Sequence, residues 1–225
     1  MGMKQTAVRQ LAPRLHELAP GLTSGFVREA LNRAIDGIGP LHPAAEAADK
    51  QLVEQRGNVE RAIHEVIENN VRIAGAQGFV TNVGGLMTAM IAIPANITGL
   101  AVIQCRMVAG IAHLRGHDLT DPRVRNAILA MLLGEDQVGD LVRKKKLPTT
   151  PMALALAPVH DPTLDAVISK VVATDIITRV AGKRLATTVG RRIPEVGGVV
   201  GAGADGFATW RIGRYADREL LPRRR

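Results

Sequence analysis

The sequence predicts an all-α protein, a single helical domain with two glycine-rich apolar segments packed at its centre. Apolar residues recur at helical spacing along most segments, as in Val59–Gly75. No segment alternates apolar and polar residues with the β-branched or aromatic enrichment of strands. Aromatic residues make up only 2% of the 225 residues, so the core must be built from aliphatic side chains. This composition favours helices in close contact through Ala and Gly over a sheet.

Residues 1–57 are predicted to form an N-terminal helical extension. The spacing predicts a helix over Ser24–Ile38, with Ser24 as its N-cap, and a second helix over Ala44–Arg56. Gly57 and Asn58 then interrupt the pattern. We therefore place the main helical domain at residues 58–220 and a basic tail at residues 221–225.

The longest uncharged stretch of the chain follows the first helix of this domain. No charged residue occurs between Arg72 and Arg106, so Ile73–Cys105 is apolar. We expect Pro94 to divide it into two arms, because proline removes a backbone donor and kinks or breaks a helix. Three structures stay open: two buried core helices joined at Pro94, a hairpin or kinked helix that dips into one leaflet, and a full membrane span.

Helix signals punctuate the rest of the chain. The second arm of the apolar stretch is predicted to end at Gly116. Asp121-Pro122 and Asp161-Pro162 each place an acidic N-cap before a proline at the first helical position. Between these starts, the pattern predicts a short basic-ended helix over 135–146 and a loop or irregular segment over 147–158.

The helix that follows Asp161 is expected to run to Arg192 with a break near Gly182. Pro194 opens the second apolar patch, Val196–Trp210. A final helix is predicted over 210–220.

Four segments, in order, resemble the EcsC-like family of bacterial proteins. The first is the glycine-rich entry to the apolar stretch, Gly75–Gly85, and the second is Gln104 followed by Ile111–Gly116, which is similar to the family's Ile-Ala-x-x-Tyr-Gly. The third is the helix start Leu119–Pro122, and the fourth is Pro194–Ala202, which is similar to the family's Pro-x-x-Gly-x-x-x-Gly. Arg115 stands where the family usually has an aromatic residue. The family takes its name from a protein encoded beside an ABC-type transporter, and the resemblance implies no catalytic residues.

The net charge indicates which classes of partner the protein could bind, and the cysteine content indicates its cellular compartment. The formal net charge of +8 is typical of a protein that contacts an anionic membrane surface or nucleic acid. Nucleic-acid binding is the weaker alternative, because few aromatic residues are available for base stacking and no helix-turn-helix or zinc module is evident. A lone cysteine, Cys105, excludes an internal disulfide, and residues 1–20 carry no continuous apolar core. Both features predict a cytoplasmic protein.

The sequence contains no recognisable catalytic constellation, and we expect neither a cofactor nor a metal. Gly201–Gly206 reads G-x-G-x-x-G, but too little chain follows it to complete a βαβ unit, so we interpret it as a helix-packing segment. His113 and His117 are four residues apart, yet Gly116 is expected to end their helix between them.

Three groups of residues are candidates for function. The apolar core or membrane segment depends on Gly78, Gly84, Gly85, Pro94, Gly197 and Gly201. A buried polar cluster, either structural or lining a ligand pocket, would consist of Asn82, Asn96, Gln104 and Asp205. Contacts with anionic lipid are assigned to Lys144, Lys145 and Lys146. Trp210 and Arg211 suit a membrane interface at the edge of the second patch.

The leading hypothesis is a non-enzymatic cytoplasmic protein that associates with the inner membrane surface or with a membrane protein, as an accessory to a transport or envelope system. The alternative is a soluble helical protein that holds a lipid or another apolar ligand in its core, or a hydrolase acting on one. A closed cavity reached by Asn96, Gln104 or Asp205 would favour that alternative.

Overall fold

The computed structural model describes the backbone of residues 25–83, 89–189 and 194–223, and the side chains of these residues except those of 77–97 and 180–202. In this described part the chain forms helices and no strand, apart from an isolated antiparallel bridge between Ile38 and Leu41. The helices are α1 (Phe26–Asp36), α2 (Ala44–Glu54), α3 (Val59–Val83), α4 (Ala89–Leu114), α5 (Pro122–Met131), α6 (Glu135–Arg143), α7 (Pro151–Ala155), α8 (Pro162–Val189) and α9 (Pro194–Glu219). The predicted all-α fold is confirmed.

The second half of α4 lies at the centre of the fold. Every residue from Ala101 to Ala112 is buried except Arg106. Helices α1, α2, α3 and α9 pack around α4. Because it is covered on all sides, this half of α4 needs no polar face and can be apolar all round. The described end of the apolar stretch, 101–105, is therefore protein core.

Glycines let the long helices approach one another closely. Helix α9 has its most extensive contact with α3. A methyl group placed at Gly213 of α9 would lie 2.9 Å from Met107 Sδ and 3.0 Å from two side-chain carbons of Ile67. At Gly110 of α4 the same methyl would lie 3.3 Å from Val66 Cγ1. Close packing through small residues thus operates between α3, α4 and α9.

Three predicted N-caps act as hydrogen-bonding caps, whereas the N-cap of α1 is Gly25 and not the predicted Ser24. Asn58, Asp121 and Asp161 each accept a bond from a backbone N–H two or three residues further on, at 2.8 to 3.0 Å. Gly116 ends α4 with φ at +82°, and its N–H and that of the next residue bond back to the last turn at 2.9 Å. This is the Schellman arrangement, in which a left-handed residue satisfies terminal carbonyls.

Several predicted interruptions are wrong. Helix α3 continues through Gly75, α4 runs through Pro94, α8 runs through Gly182, and α9 is one helix from Pro194 through Trp210. At Gly75 and Gly182 the local cost is small, because a glycine inside a helix costs only about 1 kcal/mol relative to alanine, which packing against neighbouring helices readily outweighs. At Pro94 the local cost is about 3 kcal/mol, and the backbone is helical in spite of it. The segment predicted as a loop over 147–158 also contains the short helix α7.

Candidate functional site

One group of the buried polar residues that the structure describes lies between α4 and α9. Gln104 is 3% exposed, and its Nε2 donates to Thr209 Oγ1 at 3.2 Å. Asp205, which is 7% exposed, lies one helical turn before Thr209 on the same face of α9. The structure therefore brings the two described members of the predicted polar cluster to the same helix interface.

The remaining predicted residues of the two glycine-rich segments are only partly described. Gly84 and Gly85 lie outside the described residues, and the other members lie within described helices but among the undescribed side chains: Gly78 and Asn82 in α3, Pro94 and Asn96 in α4, Gly197 and Gly201 in α9. Their roles stay predictions. The G-x-G-x-x-G run lies within α9 and is not a strand-to-helix loop.

Arg115 is the centre of an ion-pair cluster that joins three helices. Its side chain is 9% exposed, and Nη1 lies 2.5 Å from Glu60 Oε1 at the start of α3. Nη2 lies 2.9 Å from Asp217 Oδ1 near the end of α9. The Arg115 carbonyl also accepts a bond from the backbone N–H of Arg223 at 2.8 Å. The residue that replaces the usual aromatic thus ties the end of α4 to both neighbours and to the C-terminal segment.

An open cleft of about 380 Å³ lies beside Arg115. On its wall His113 Nε2 is 2.8 Å from Asp49 Oδ1, so α2 holds the imidazole in place. An imidazole oriented by a carboxylate can accept a proton. None of the described lining residues is a Ser, Thr or Cys, so the described lining places no hydroxyl or thiol nucleophile next to this imidazole.

His117 faces away from this pair, as the predicted helix end at Gly116 requires. Its Nε2 lies 3.0 Å from the Leu221 carbonyl and must therefore carry the hydrogen, while its buried Nδ1 has no partner among the described residues. Burial lowers the pKa of His117, because protonation would place an unpaired N–H in the interior. Within the described part of the chain, no cluster of three or more His, Cys, Asp or Glu side chains could hold a metal ion.

A second groove, of about 550 Å³, lies between α2 and α3, and Arg106 of α4 forms part of its wall. Arg106 Nε donates to the His42 carbonyl at 3.0 Å, and Nη1 donates to Asn70 Oδ1 at 3.2 Å. Lys50 and Arg72 line the same groove. Sequence reasoning missed this site, although its signal was present: the two arginines that bound the uncharged stretch both line the groove.

The predicted lipid-contact lysines lie directly after α6, which ends at Arg143. Lys144, Lys145 and Lys146 are all exposed, and none of their side chains has a carboxylate partner among the described residues. The preceding Arg143 is paired with Asp140 within the helix. The three ammonium groups are therefore free to contact an anionic surface.

An exposed aromatic pair lies on α9, at the C-terminal end of the second apolar patch. The rings of Phe207 and Trp210 stack with centroids 6.0 Å apart and planes at 19°. Phe207 is 61% exposed and Trp210 42% exposed, whereas Tyr215 is buried. Arg211 Nη2 lies 2.7 Å from Asp136 Oδ2 at the start of α6, which ties this part of α9 to the helix that precedes the lysine run. Sequence reasoning noted Trp210 but missed Phe207.

Neither groove supports an apolar ligand held in the core. Both are open to solvent, and neither is lined by Gln104 or Asp205. Among the residues that the structure describes, no helix is long and apolar enough to cross a membrane.

Comparison with known proteins gives one match. The model of the EcsC protein family matches residues 6–224, most of the chain, which confirms the resemblance predicted from four segments. No curated protein and no solved structure matches. The match includes α1 and α2, and both helices pack against α4.

Proposed function

The chain belongs to the EcsC protein family, and from that premise and its described surface we propose that it is a non-enzymatic cytoplasmic protein that associates with the inner, anionic face of a membrane. There it would act as an accessory to a transport or envelope system, in line with the transporter-linked protein that gives the family its name. The observation that carries the proposal is the exposed stack of Phe207 and Trp210.

Aromatic residues are scarce in this chain, and two of them form that stack. The sequence has three phenylalanines, one tyrosine and one tryptophan, so two of five aromatic residues form one exposed pair. Aromatic rings contribute most when they are removed from water, and tryptophan favours the interface between headgroups and acyl chains. An exposed pair of this kind supports contact with a partly apolar partner, and a membrane interface is such a partner.

The lysines supply the electrostatic half of the proposed surface. Asp136, at the start of α6, is paired with Arg211 of α9, and α6 ends at Arg143, about 10 Å of helical rise further on and directly before the lysine run. The aromatic pair and the lysine run are therefore neighbours on the scale of a lipid-contact surface. Each lysine near an anionic leaflet contributes about 1 kcal/mol, so three can contribute about 3 kcal/mol at low salt.

Co-sedimentation with vesicles tests the proposal. The wild-type protein is expected to bind vesicles of equal parts phosphatidylglycerol and phosphatidylcholine, and to bind pure phosphatidylcholine far more weakly. Replacing Lys144, Lys145 and Lys146 with Gln should weaken binding by about a hundredfold at low salt and reduce its salt dependence. Phe207→Ala with Trp210→Ala should weaken binding at every salt concentration, because the apolar contribution is not screened.

A matched control separates surface from net charge. Replacing Arg56, Arg61 and Lys170 with Gln removes the same number of positive charges from exposed positions elsewhere and should leave vesicle binding nearly unchanged. If the lysine variant and this control bind equally well, the assigned surface is wrong. If wild-type protein does not bind anionic vesicles at all, the proposed function fails.

A further inference from the structure

We propose that the groove between α2 and α3 is a binding site for a phosphate group, with the guanidinium of Arg106 as its principal ligand and Arg72 and Lys50 as supporting cations. The site involves different residues from the aromatic and lysine surface. Its binding of soluble phosphate does not depend on the proposed membrane association.

Arg106 is held in place but lacks a counter-ion. Its Nε donates to the His42 carbonyl and its Nη1 to Asn70 Oδ1, which fixes the plane of the guanidinium. Asn70 is itself buried, and its Nδ2 donates to the Val66 carbonyl at 2.7 Å, so its oxygen is oriented towards Arg106. Among the described residues, no carboxylate lies within ion-pair distance of Arg106, and its Nη2 has no hydrogen-bond partner.

A half-buried charge without a counter-ion is costly, and this cost points to a missing anion. Burial lowers the pKa of Arg106, and no neighbouring carboxylate offsets that effect. The guanidinium is nevertheless charged, since arginine does not lose its proton in proteins. An anion in the groove would remove the cost by accepting bonds from the free N–H groups.

The groove carries net positive charge and room for a small anion. Arg72 and Lys50 line it with Arg106, while Glu46, the one acidic residue among the described residues of the lining, is 3.1 Å from His42 Nδ1. Arg72 is only loosely held, with Nη2 3.6 Å from Glu68. The volume of about 550 Å³ exceeds what a phosphate ester needs. Phosphate suits this site because it accepts several charge-assisted hydrogen bonds, and the two N–H groups of Arg106 Nη2 remain to donate to it, beside the charges of Arg72 and Lys50.

The position of the groove admits two sources of this phosphate. Arg72 and Arg106 are the charged residues that bound the apolar stretch, and Ile73 also lines the groove. A phospholipid headgroup and a soluble phosphate ester present the same chemistry to these side chains. The experiment therefore uses inorganic phosphate and glycerol phosphate for one source, and phosphatidylglycerol vesicles for the other.

Calorimetric titration of the full chain with inorganic phosphate and glycerol phosphate gives the first arm, and vesicle co-sedimentation gives the second. If the natural ligand is a soluble phosphate ester, Arg106→Gln should weaken binding in the calorimetric titration by about tenfold or more; if it is a lipid headgroup, the same loss should appear in vesicle co-sedimentation. The reason is that two charge-assisted hydrogen bonds are lost. Arg61→Gln, on the exposed face of α3 outside the groove, removes the same charge and should bind as wild type does.

A second variant is needed because Arg106→Gln could fail to fold: the substitution removes the guanidinium that donates to Asn70. Lys50→Gln with Arg72→Gln changes only exposed side chains and should also weaken binding. Saturable binding of soluble phosphate that these variants lose supports a soluble ester. Vesicle binding that they weaken, without saturable binding of soluble phosphate, supports a headgroup.

The inference is overturned if folded Arg106→Gln and the double variant match wild type in both arms, or if wild type binds neither probe. Its failure is distinguishable from that of the proposed function. Loss of vesicle binding in the variants of the lysine run, with groove variants unaffected, would support the membrane surface alone. Loss of binding in the groove variants, with the variants of the lysine run unaffected, would support the phosphate site in the groove alone.

Discussion

Replacement of Arg115 by methionine provides the sharpest test of how this fold is held together. Methionine keeps much of the length of arginine but removes the charge, and with it both ion pairs, to Glu60 at 2.5 Å and to Asp217 at 2.9 Å. The two partners differ in exposure: the Glu60 side chain is 69% exposed and that of Asp217 only 16% exposed. The cost of the substitution should therefore come mainly from Asp217.

The magnitude follows from these exposures. An ion pair to an exposed carboxylate contributes under about 1 kcal/mol, so the loss of the Glu60 pair is small. Removing one member of a buried pair costs about 3–5 kcal/mol. Asp217 falls below that range, because Arg214 remains 3.3 Å from it, and about 2 kcal/mol is the expected cost. In total, Arg115→Met should lower the free energy of unfolding by about 3 kcal/mol, or Tm by roughly 6–12 °C.

Urea unfolding followed by far-UV circular dichroism measures this cost, with Glu60→Gln and Asp217→Asn as companions. Glu60→Gln should cost less than about 1 kcal/mol and Asp217→Asn clearly more. The reasoning is refuted if Arg115→Met is within about 0.5 kcal/mol of wild type, the scatter of ordinary surface substitutions. It also fails if Glu60→Gln proves more costly than Asp217→Asn.

Three further predictions concern packing, pH and thiol chemistry. Gly213→Ala should destabilise the protein by about 1–3 kcal/mol, because the new methyl group would lie 3.0 Å from Ile67. Gly203→Ala in the same helix meets no atom within 4 Å and should stabilise the protein by up to about 1 kcal/mol. Equal effects of the two substitutions in urea unfolding would contradict the close packing at Gly213. Because burial lowers the pKa of His117, the unfolded state binds its proton more readily, so the free energy of unfolding should fall as pH drops below about 6.5. His117→Gln should flatten that dependence, and an unchanged slope would exclude His117 as its source. Burial raises the pKa of the Cys105 thiol to about 12, so a thiol reagent at about pH 8 should label Cys105 only after unfolding. Rapid labelling of the native protein would instead show that the centre of α4 is accessible to the reagent.

Sequence reasoning worked where a short local motif determines the backbone. Asp121-Pro122 and Asp161-Pro162 started helices as predicted, and Gly116 ended one, because these signals act through bonds within a single turn. It failed at Gly75 and Gly182, where the chain stays helical. Their local penalty is small, and its outcome depends on contacts with other helices that the local pattern does not contain.

The candidate sites, too, could be identified from the sequence only where local composition is sufficient. The three lysines after α6 were identified from the sequence because a charge run at a helix end is exposed by its own composition. The groove at Arg106 was not identified, since it needs a backbone carbonyl at His42 and an amide at Asn70, both distant in sequence. Phe207 was overlooked because a single phenylalanine beside an apolar patch is usually core.

The sequence by itself determined the helical class, the family, the helix boundaries that a local cap fixes, such as Gly116 and Asp121, and the exposed charge run after α6. The caps and the charge run depend on neighbours within a few residues. Only the tertiary structure decided which helices run unbroken, that Arg115 joins Glu60 to Asp217, and that Arg106 lies in a groove without a carboxylate. These depend on how helices far apart in the chain pack together. Burial and pairing energies of several kcal/mol at those contacts exceed the local preferences of about 1 kcal/mol that a sequence pattern records.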